Sequence, residues 1–396
     1  MSNTNHSVSD DLSYSRPLAD HGTVGAVANE GSDLSYDISS GSSEDGGSLV
    51  LDIKVTTSNS SSNEKEPLAS PDGMELICSK SKECTLEDRD HDHDQEAESE
   101  ADSETDNEET DFLLKEEPTL ETIASLIQSG SIQRILVLSG AGVSCSAGIP
   151  DFRTPGSGLY DNLEKYNLPY PEAVFDLGFY QSNSQPFVDL AKELWPGRNH
   201  SPTLSHSFLA LLNKKGKLMR NYTQNIDGLE CLAGVSEEHI VECHGHFRTS
   251  ACIDCGIPFD GKEARDTILN LSAAPICPKC GGLVKPDIVF FGESLPVRFK
   301  NLLHKDLSTN DLLIVMGTSL KVAPVSLIPE MLNSRIPRVL FNRELVGDFA
   351  PPGTDGNHRD VFYEGDCDDS VRKLCSLLGW EDELLELNEK TKISPE

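Results

Sequence analysis

Aromatic residues are scarce in this chain of 396 residues, 6% with only two tryptophans, and cations are half as common as acids, 33 Lys and Arg against 66 Asp and Glu. A nucleic-acid binder neutralises phosphates with clustered Lys and Arg, and no such cluster occurs, so that class of partner is set aside. Long apolar runs are missing as well. The longest, near Ile135 and Leu312, are far too short to span a bilayer, and the polar start at Met1 to Ser7 lacks the apolar core of a secretory leader. The expectation is a soluble intracellular protein. With neither a mitochondrial presequence nor a basic import cluster visible, cytoplasmic residence is the default and nuclear entry the alternative. Eleven cysteines, an odd number at this length, argue against a disulfide framework and for metal binding or buried thiols in a reducing compartment.

What the chain does have is unevenly spread. Residues 1–118 hold 30 acidic and 7 basic residues, a net of −23 out of −33 for the whole chain. Glu87 to Asp111 packs 14 acids into 25 positions, after Ser-rich stretches such as Ser58 to Ser62. Such a segment cannot bury enough apolar area to offset chain entropy, and residues 1–118 are expected to be a disordered acidic tail. It reads as a solubilising arm or as a regulatory one, in which Ser99, Ser103 and Thr105 each precede an acid by three residues. His91 and His93 alternate with Asp, compatible with weak metal contact or with solvated low complexity.

The ordered part begins with helical spacing at Leu120 to Gln128 and then an apolar strand, Arg134 to Leu138. Further short apolar strands follow at Lys217 to Thr223, Asp311 to Met316 and Arg338 to Asn342. Such runs fit strands of a parallel sheet buried on both faces, predicting an α/β fold with a Rossmann-like large domain. Ligands of these sheets bind at the carboxyl ends of the strands, so Ser139, Gln224, Gly317 and Asn342 should converge on one crevice. After the first strand comes Ser139 to Arg153, with Gly140, Gly142 and Gly148 in a G-x-G-x5-G pattern. That departs from the G-x-G-x-x-G of hydride-transferring dehydrogenases. It reads as a nucleotide-phosphate loop or as a plain tight turn into a helix. Two excursions between the strands, about 151–202 and 245–296, should fold together as a small domain, leaving about 119–150, 203–244 and 297–388 to the large one. A packing helix is expected over Asp369 to Leu387, with 389–396 as a C-terminal tail.

The second excursion carries Cys252-x2-Cys255 and Cys277-x2-Cys280, two knuckles with the spacing of a four-thiolate zinc ribbon. Four protein ligands leave no open position, so the zinc is expected to be structural. Cys145, Cys231, Cys243 and Cys375 read as small buried hydrophobes.

Taken with Tyr222 to Leu229 (Tyr-Thr-Gln-Asn-Ile-Asp-Gly-Leu), His244-Gly245, Gly317 to Leu320 and Val289 to Glu293, the glycine loop and the Cys pairs resemble the sirtuins, NAD-dependent protein-lysine deacylases. The likeness runs from about Thr119 to Leu387. Gly156 to Lys165 and Leu168 to Glu172 place it nearest the animal cytosolic and mitochondrial branch. The resemblance implies that NAD is consumed to cleave an acyl-lysine amide: the amide oxygen displaces nicotinamide from the ribose, and the resulting imidate is resolved by a base and hydrolysed by water. His244 aligns with that base, and an imidazole suits a proton transfer near neutrality. His246 stands where relatives carry Ser or Thr. Asn225 is expected to hold ribose hydroxyls and water, Asp227 and Ile226 the nicotinamide carboxamide, and Phe152, after Asp151, to shield the reacting carbon. Asn-x-Asp taken alone reads equally as a turn or a helix cap. The resemblance further implies that Ala141, Gly142, Val143, Ser144, Cys145 and Arg153 meet the phosphates. Gln224, Gly317, Thr318, Ser319, Asn342, Arg343 and Glu344 line the adenosine half with Cys367. An acyl-peptide would add as a strand along Val289, Phe290, Phe291, Gly292 and Glu293, although Phe290 and Phe291 also read as core. Acetylated proteins such as histones or tubulin are the implied partners. Two rivals stay open: a mono-ADP-ribosyltransferase using the same NAD pocket, and a catalytically idle scaffold.

Overall fold

The apolar runs Ile135 to Leu138 and Leu312 to Met316 form the two central strands of the main sheet, because each side chain there meets a covering layer on its own face. The computed structural model describes residues 34–41, 50–57, 118–152, 154, 156, 158–196 and 200–392. The backbone divides into two units, Met1–Glu98 and Ser99–Glu396.

Within the first unit β1 (Leu34–Gly41) pairs antiparallel with β2 (Val50–Thr57), Leu34 opposite Thr57 and Gly41 opposite Val50. These two segments were expected to be disordered. The alternation of Leu34, Tyr36 and Ile38, and of Leu51, Ile53 and Val55, is a period-two strand pattern that the tail's average composition hides. The acidic run at Glu87 to Asp111, with His91, His93, Ser99, Ser103 and Thr105, lies outside the described residues.

The second unit is built on a six-stranded sheet of β3 (Ile135–Ser139), β4 (Leu218–Thr223), β5 (Ile240–Glu242), β9 (Leu312–Met316), β10 (Arg338–Asn342) and β11 (Asp360–Glu364). Its spatial order is β11-β10-β9-β3-β4-β5, and every neighbouring pair is parallel. β3 and β9 are central and buried at all five positions. The four expected strands are present, and β5 and β11 extend the sheet at its edges. On one face pack α1 (Leu120–Ser129), α4 (Leu204–Lys214), α8 (Cys367–Leu378) and α9 (Glu381–Lys390), through Ile123, Phe208, Leu212, Val371 and Leu384. Thr119 caps the start of α1, and Gly130, at φ 90°, its end. The single packing helix expected at the C-terminus is two, because Gly379 turns left-handed at φ 70° between α8 and α9. The other face is covered by α7 (Val297–Thr309) and the segment Val325 to Leu332, through Phe299, Ile328 and Phe349.

The two excursions share one core. Leu159, Val174, Phe175, Tyr180, Phe187 and Trp195 from the first interlock with Phe247, Ile268, Ile288 and Phe290 from the second. α2 (Leu177–Ser182) and α3 (Gln185–Leu194) lie in the first. The second holds α6 (Gly261–Leu271) and an antiparallel sheet ordered β7 (Pro258–Phe259), β6 (Gly245–Cys252), β8 (Val284–Ile288). A short four-residue helix, α5 (Leu229–Leu232), follows β4. Among the described residues no helix is long and apolar enough to cross a membrane.

Candidate active site

Each parallel strand of the central sheet ends in a residue that the next loop uses, and these ends meet. Ser139 closes β3 and donates its hydroxyl to Asn221 Oδ1 at 3.0 Å, while its carbonyl accepts from Gln224 N–H at 2.9 Å. Gln224 in turn donates Nε2–H to Thr318 Oγ1 at 2.9 Å. The ends of β3, β4 and β9 are thereby tied together side by side.

The glycine loop is explained first by packing. A Cβ on Gly142 would stand 2.6 Å from Gly317 Cα, and one on Gly140 2.8 Å from Gly317 O and Thr318 Cβ. Gly317 needs its own freedom at φ 59°. The run Ala141–Ala147 is a 3-10 helix whose tight turns follow the short carbonyl path from Gly140. The amides of Gly142 and Val143 are donated to Gly317 O at 2.8 Å and Gly140 O at 3.1 Å. Two of the donors expected to meet phosphate are thus engaged within the chain. Arg153, also expected at the phosphates, lies outside the described residues.

Asn225 and Asp227 are drawn to the same loop. Asn225, 6% exposed, donates Nδ2–H to Gly140 O at 3.1 Å and Ser144 Oγ at 3.2 Å. Ser144 donates to Asp227 Oδ2 at 2.7 Å, and Leu229 N–H to Asp227 Oδ1 at 3.0 Å. Asp227 therefore makes the turn its spacing allowed, just before the short α5 whose N-cap is Gly228, while its other oxygen faces the loop. Ile226 packs with Phe152 in the small-lobe core, and Phe152 meets Tyr160 and Phe175 at ring distances of 5.7 and 6.2 Å. Asp151 accepts from Thr154 N–H at 2.7 Å and from the Thr154 hydroxyl, a turn that holds the start of the first excursion.

His244 hangs between the lobes. The carbonyl of Gln224 can only accept, and it lies 2.9 Å from His244 Nδ1, so Nδ1 carries the hydrogen and Nε2 keeps its lone pair. Burial pushes the imidazole below its usual value, against a smaller opposite pull from the same carbonyl. The ring is a neutral base at neutral pH. Its backbone is fixed by Val289 N–H donated to His244 O at 2.9 Å and by Gly245, at φ 76°, where a Cβ would sit 1.9 Å from Asp287 O. His246 points elsewhere. Its Nε2 is 4.0 Å from Glu242 Oε2, and that carboxylate is held by Arg248 through two nitrogens at 2.6 and 2.5 Å.

On the other side of the crevice Asn342 donates to Glu344 O at 2.8 Å, and Arg343 pairs with Asp366 at 2.5 Å. Cys367, buried, donates Sγ–H to Phe341 O at 3.6 Å, and burial lifts its thiol to about 12. Cys145, also raised by burial, faces Ala141 O at 3.6 Å. Both are thiols, not thiolates. Ser319 is exposed beside the buried Thr318.

Along Val289–Glu293 the expectation needs correcting. Phe290 is 1% exposed and locked edge-on to Phe175, Tyr180 and Phe187, so its side chain is core. The amides of Val289, Phe290 and Phe291 are donated to His244 O, Glu293 Oε2 and Phe175 O. These three amides are engaged within the chain. Phe291, 43% exposed, and Gly292, at φ 94°, turn outward. Composition gave no sign of what holds this loop: Lys285, 5% exposed, donates to Ile288 O at 2.7 Å and pairs with Glu293 at 2.9 Å.

The four cysteines of the zinc reading meet at the end of the antiparallel sheet. Cys252 and Cys280 Sγ are 3.4 Å apart, Cys255 and Cys277 Sγ 3.8 Å, and all four lie within 4.8 Å of one another. Tetrahedral Zn–S bonds of about 2.3 Å put ligand sulfurs about 3.8 Å apart, so the residues fit the ion.

Comparison with known proteins agrees with this geometry. The Sir2 family profile matches residues 140–324. The NAD-dependent protein deacetylase hst2 of Schizosaccharomyces pombe is 47% identical over 268 residues, 68% of this chain and 79% of that one. NAD-dependent protein deacetylase sirtuin-3 of Mus musculus is 46% identical over 275 residues, 69% and 80% of the two chains. Sirtuin-2 of Danio rerio is 45% identical over 286 residues, 69% and 75%. The chain belongs to the Sir2 family.

Proposed function

We infer that the chain is an NAD-dependent protein-lysine deacetylase that passes the acyl group from lysine to ADP-ribose and releases nicotinamide. The observation that carries this is the half-buried His244 imidazole, with Nδ1–H spent on Gln224 O and Nε2 without a hydrogen-bond partner among the described residues, held by the loop that also carries Asn225 and Asp227. NAD supplies a ribose carbon whose bond to nicotinamide is exchanged for one to the acyl oxygen. His244 Nε2 takes a proton from a ribose hydroxyl, which the neutral tautomer and the lowered basicity set by burial both suit. Asn225, rigid between Gly140 and Ser144, positions the ribose side, and Asp227 accepts from the nicotinamide carboxamide. Ser144, Cys145 and Ala141 line the phosphates, and Gly317, Thr318, Ser319, Asn342, Arg343 and Glu344 the adenosine. Phe152 screens the reacting carbon from water.

The acyl-lysine enters past Phe291, whose apolar face accepts a neutral amide and rejects a charged amine. The large lobe and the small lobe of the two excursions form the walls. Zinc on Cys252, Cys255, Cys277 and Cys280 is structural. Acetylated proteins are the substrates, with histones and tubulin the first to assay. Nine described cysteines are free, with none in a disulfide among the described residues, which supports a reducing compartment and hence cytoplasmic residence with nuclear access.

Mass spectrometry of one acetyl-lysine peptide tests the reading: acetyl loss and matching nicotinamide release are expected only with NAD. Deacetylation by dinucleotide-stripped enzyme would overturn it. Nicotinamide release faster with an unmodified protein acceptor than with the acetyl-peptide would favour ADP-ribosyl transfer instead.

A further inference from the structure

Behind Asp227 lies a buried group that the chemistry above leaves unused. His206, Asp227 and Glu230 bring a ring nitrogen and two carboxyl oxygens within 4.8 Å of one another. His206 is 0% and Glu230 2% exposed, and each has one atom without a hydrogen-bond partner among the described residues, Nε2 of His206 and Oε1 of Glu230. Buried polar atoms are rarely left unpaired, so two at one place point to a shared proton or a common bridge.

The proton positions follow from the neighbours. Thr203 N–H is donated to His206 Nδ1 at 3.2 Å, so Nδ1 is bare and Nε2 carries the hydrogen of a neutral ring. Asp227 accepts at both oxygens, from Ser144 and Leu229, as a carboxylate does. Two carboxyls this close cannot both ionise cheaply, and the buried one, Glu230, is the one driven to hold a proton. The other charges that reach the cluster are acidic, Glu242 toward Glu230 and Asp368 toward His206.

Resting on the reading that Asp227 meets nicotinamide, we propose that Glu230 is a positioning residue of the nicotinamide half-site. It stays protonated beside the neutral His206, leaving Asp227 the single anion of the cluster. His206 Nε2–H and Glu230 Oε1 are complementary, donor to acceptor, and one water between them would satisfy both. Burial, then the Asp227 charge, pushes the Glu230 carboxyl up to about 8, so the proton is held at neutrality and lost just above it.

Glu230→Gln keeps a neutral donor of the same shape, and Glu230→Leu removes it. Thermal melting is followed from about pH 5 to about pH 9 for the full chain and both variants. The native Glu230 holds a proton that the unfolded chain has lost between its usual 4.5 and about 8. Wild-type stability should therefore fall relative to Glu230→Gln as pH rises through that window and level off above it. In turnover the wild-type KM for NAD should rise above about pH 8 and that of Glu230→Gln should not. At neutral pH Glu230→Leu should raise it about tenfold with the peptide KM unmoved, and Glu230→Gln should recover most of that loss. A melting difference between wild type and Glu230→Gln that is constant across the pH range overturns the proposal, as does an alkaline rise in KM that persists in Glu230→Gln. Absence of NAD-dependent turnover in the wild type would instead count against the deacetylase reading, and the melting arm would still decide on Glu230.

Discussion

His244 and His246 are separated by a single glycine, yet their surroundings give them different work. One imidazole is half-buried against a main-chain carbonyl, its second nitrogen without a hydrogen-bond partner among the described residues. The other lies beside a glutamate already bound by Arg248. Changing His244 to Ala should remove turnover, whereas changing His246 to Ser should alter kcat/KM by less than about tenfold, measured in the same peptide assay. Because burial lowers the His244 value, its acid limb in kcat/KM should fall below 6.5, the usual value for histidine, and the free base should persist at mildly acidic pH. The glycine between them is as constrained as either. Gly245→Ala places a methyl on Asp287 O in a left-handed backbone, and a loss of about 2 kcal/mol or more in urea denaturation is expected. His244 could be singled out from its motif as the candidate base. Its tautomer could not, since Gln224 is twenty residues away.

At the scale of elements, the edge of the sheet rests on one buried ion cluster. Arg338, 1% exposed, opens β10 and donates to Asp360 at the head of β11, to Asp348 and to the carbonyl of Pro329, with its guanidinium 4.5 Å above the Phe349 ring. Removing it leaves the buried Asp360 with only the longer Arg359 contact, at 3.7 Å, and the Ala350 amide. Arg338→Met should cost about 3–5 kcal/mol by urea denaturation, and Arg338→Lys should recover only part, lacking the planar fork. The same site shows why β11 escaped sequence reading. Asp360, Tyr363 and Glu364 make it look polar, and its first residue is buried only because an arginine from the neighbouring strand meets it. β5 is three residues long, too short for any period to register. The glycine at 379 carried a legible stop signal, but the apolar spacing on both sides of it is continuous, and a single helix was the simpler reading.

For the whole molecule, the four-thiolate centre and the aromatic core of the small lobe should stand or fall together. Cys252 ends β6, and Phe247 on the same strand packs on Trp195 at a ring distance of 4.7 Å. The second tryptophan, Trp380, lies in the large lobe against Lys215. In a Trp380→Phe variant, chelation should shift the remaining tryptophan emission to the red and abolish activity, both restored by zinc. Loss of activity with unchanged emission would mean the metal acts on the chemistry and not on the fold.

The sequence alone determined the strand runs, the family motifs and the paired cysteines, because each is written in local spacing: a period, a glycine where a turn needs one, two ligands per knuckle. It did not decide which groups are free to act. Phe290 became core, and the amides of Val289, Phe291 and Gly142 were engaged by partners many residues away. The cluster of His206, Asp227 and Glu230 exists only where α4 and the loop after β4 are brought together. Hydrogen-bond partners, burial and the pKa values that follow from them are properties of packing, so only the tertiary structure could assign them.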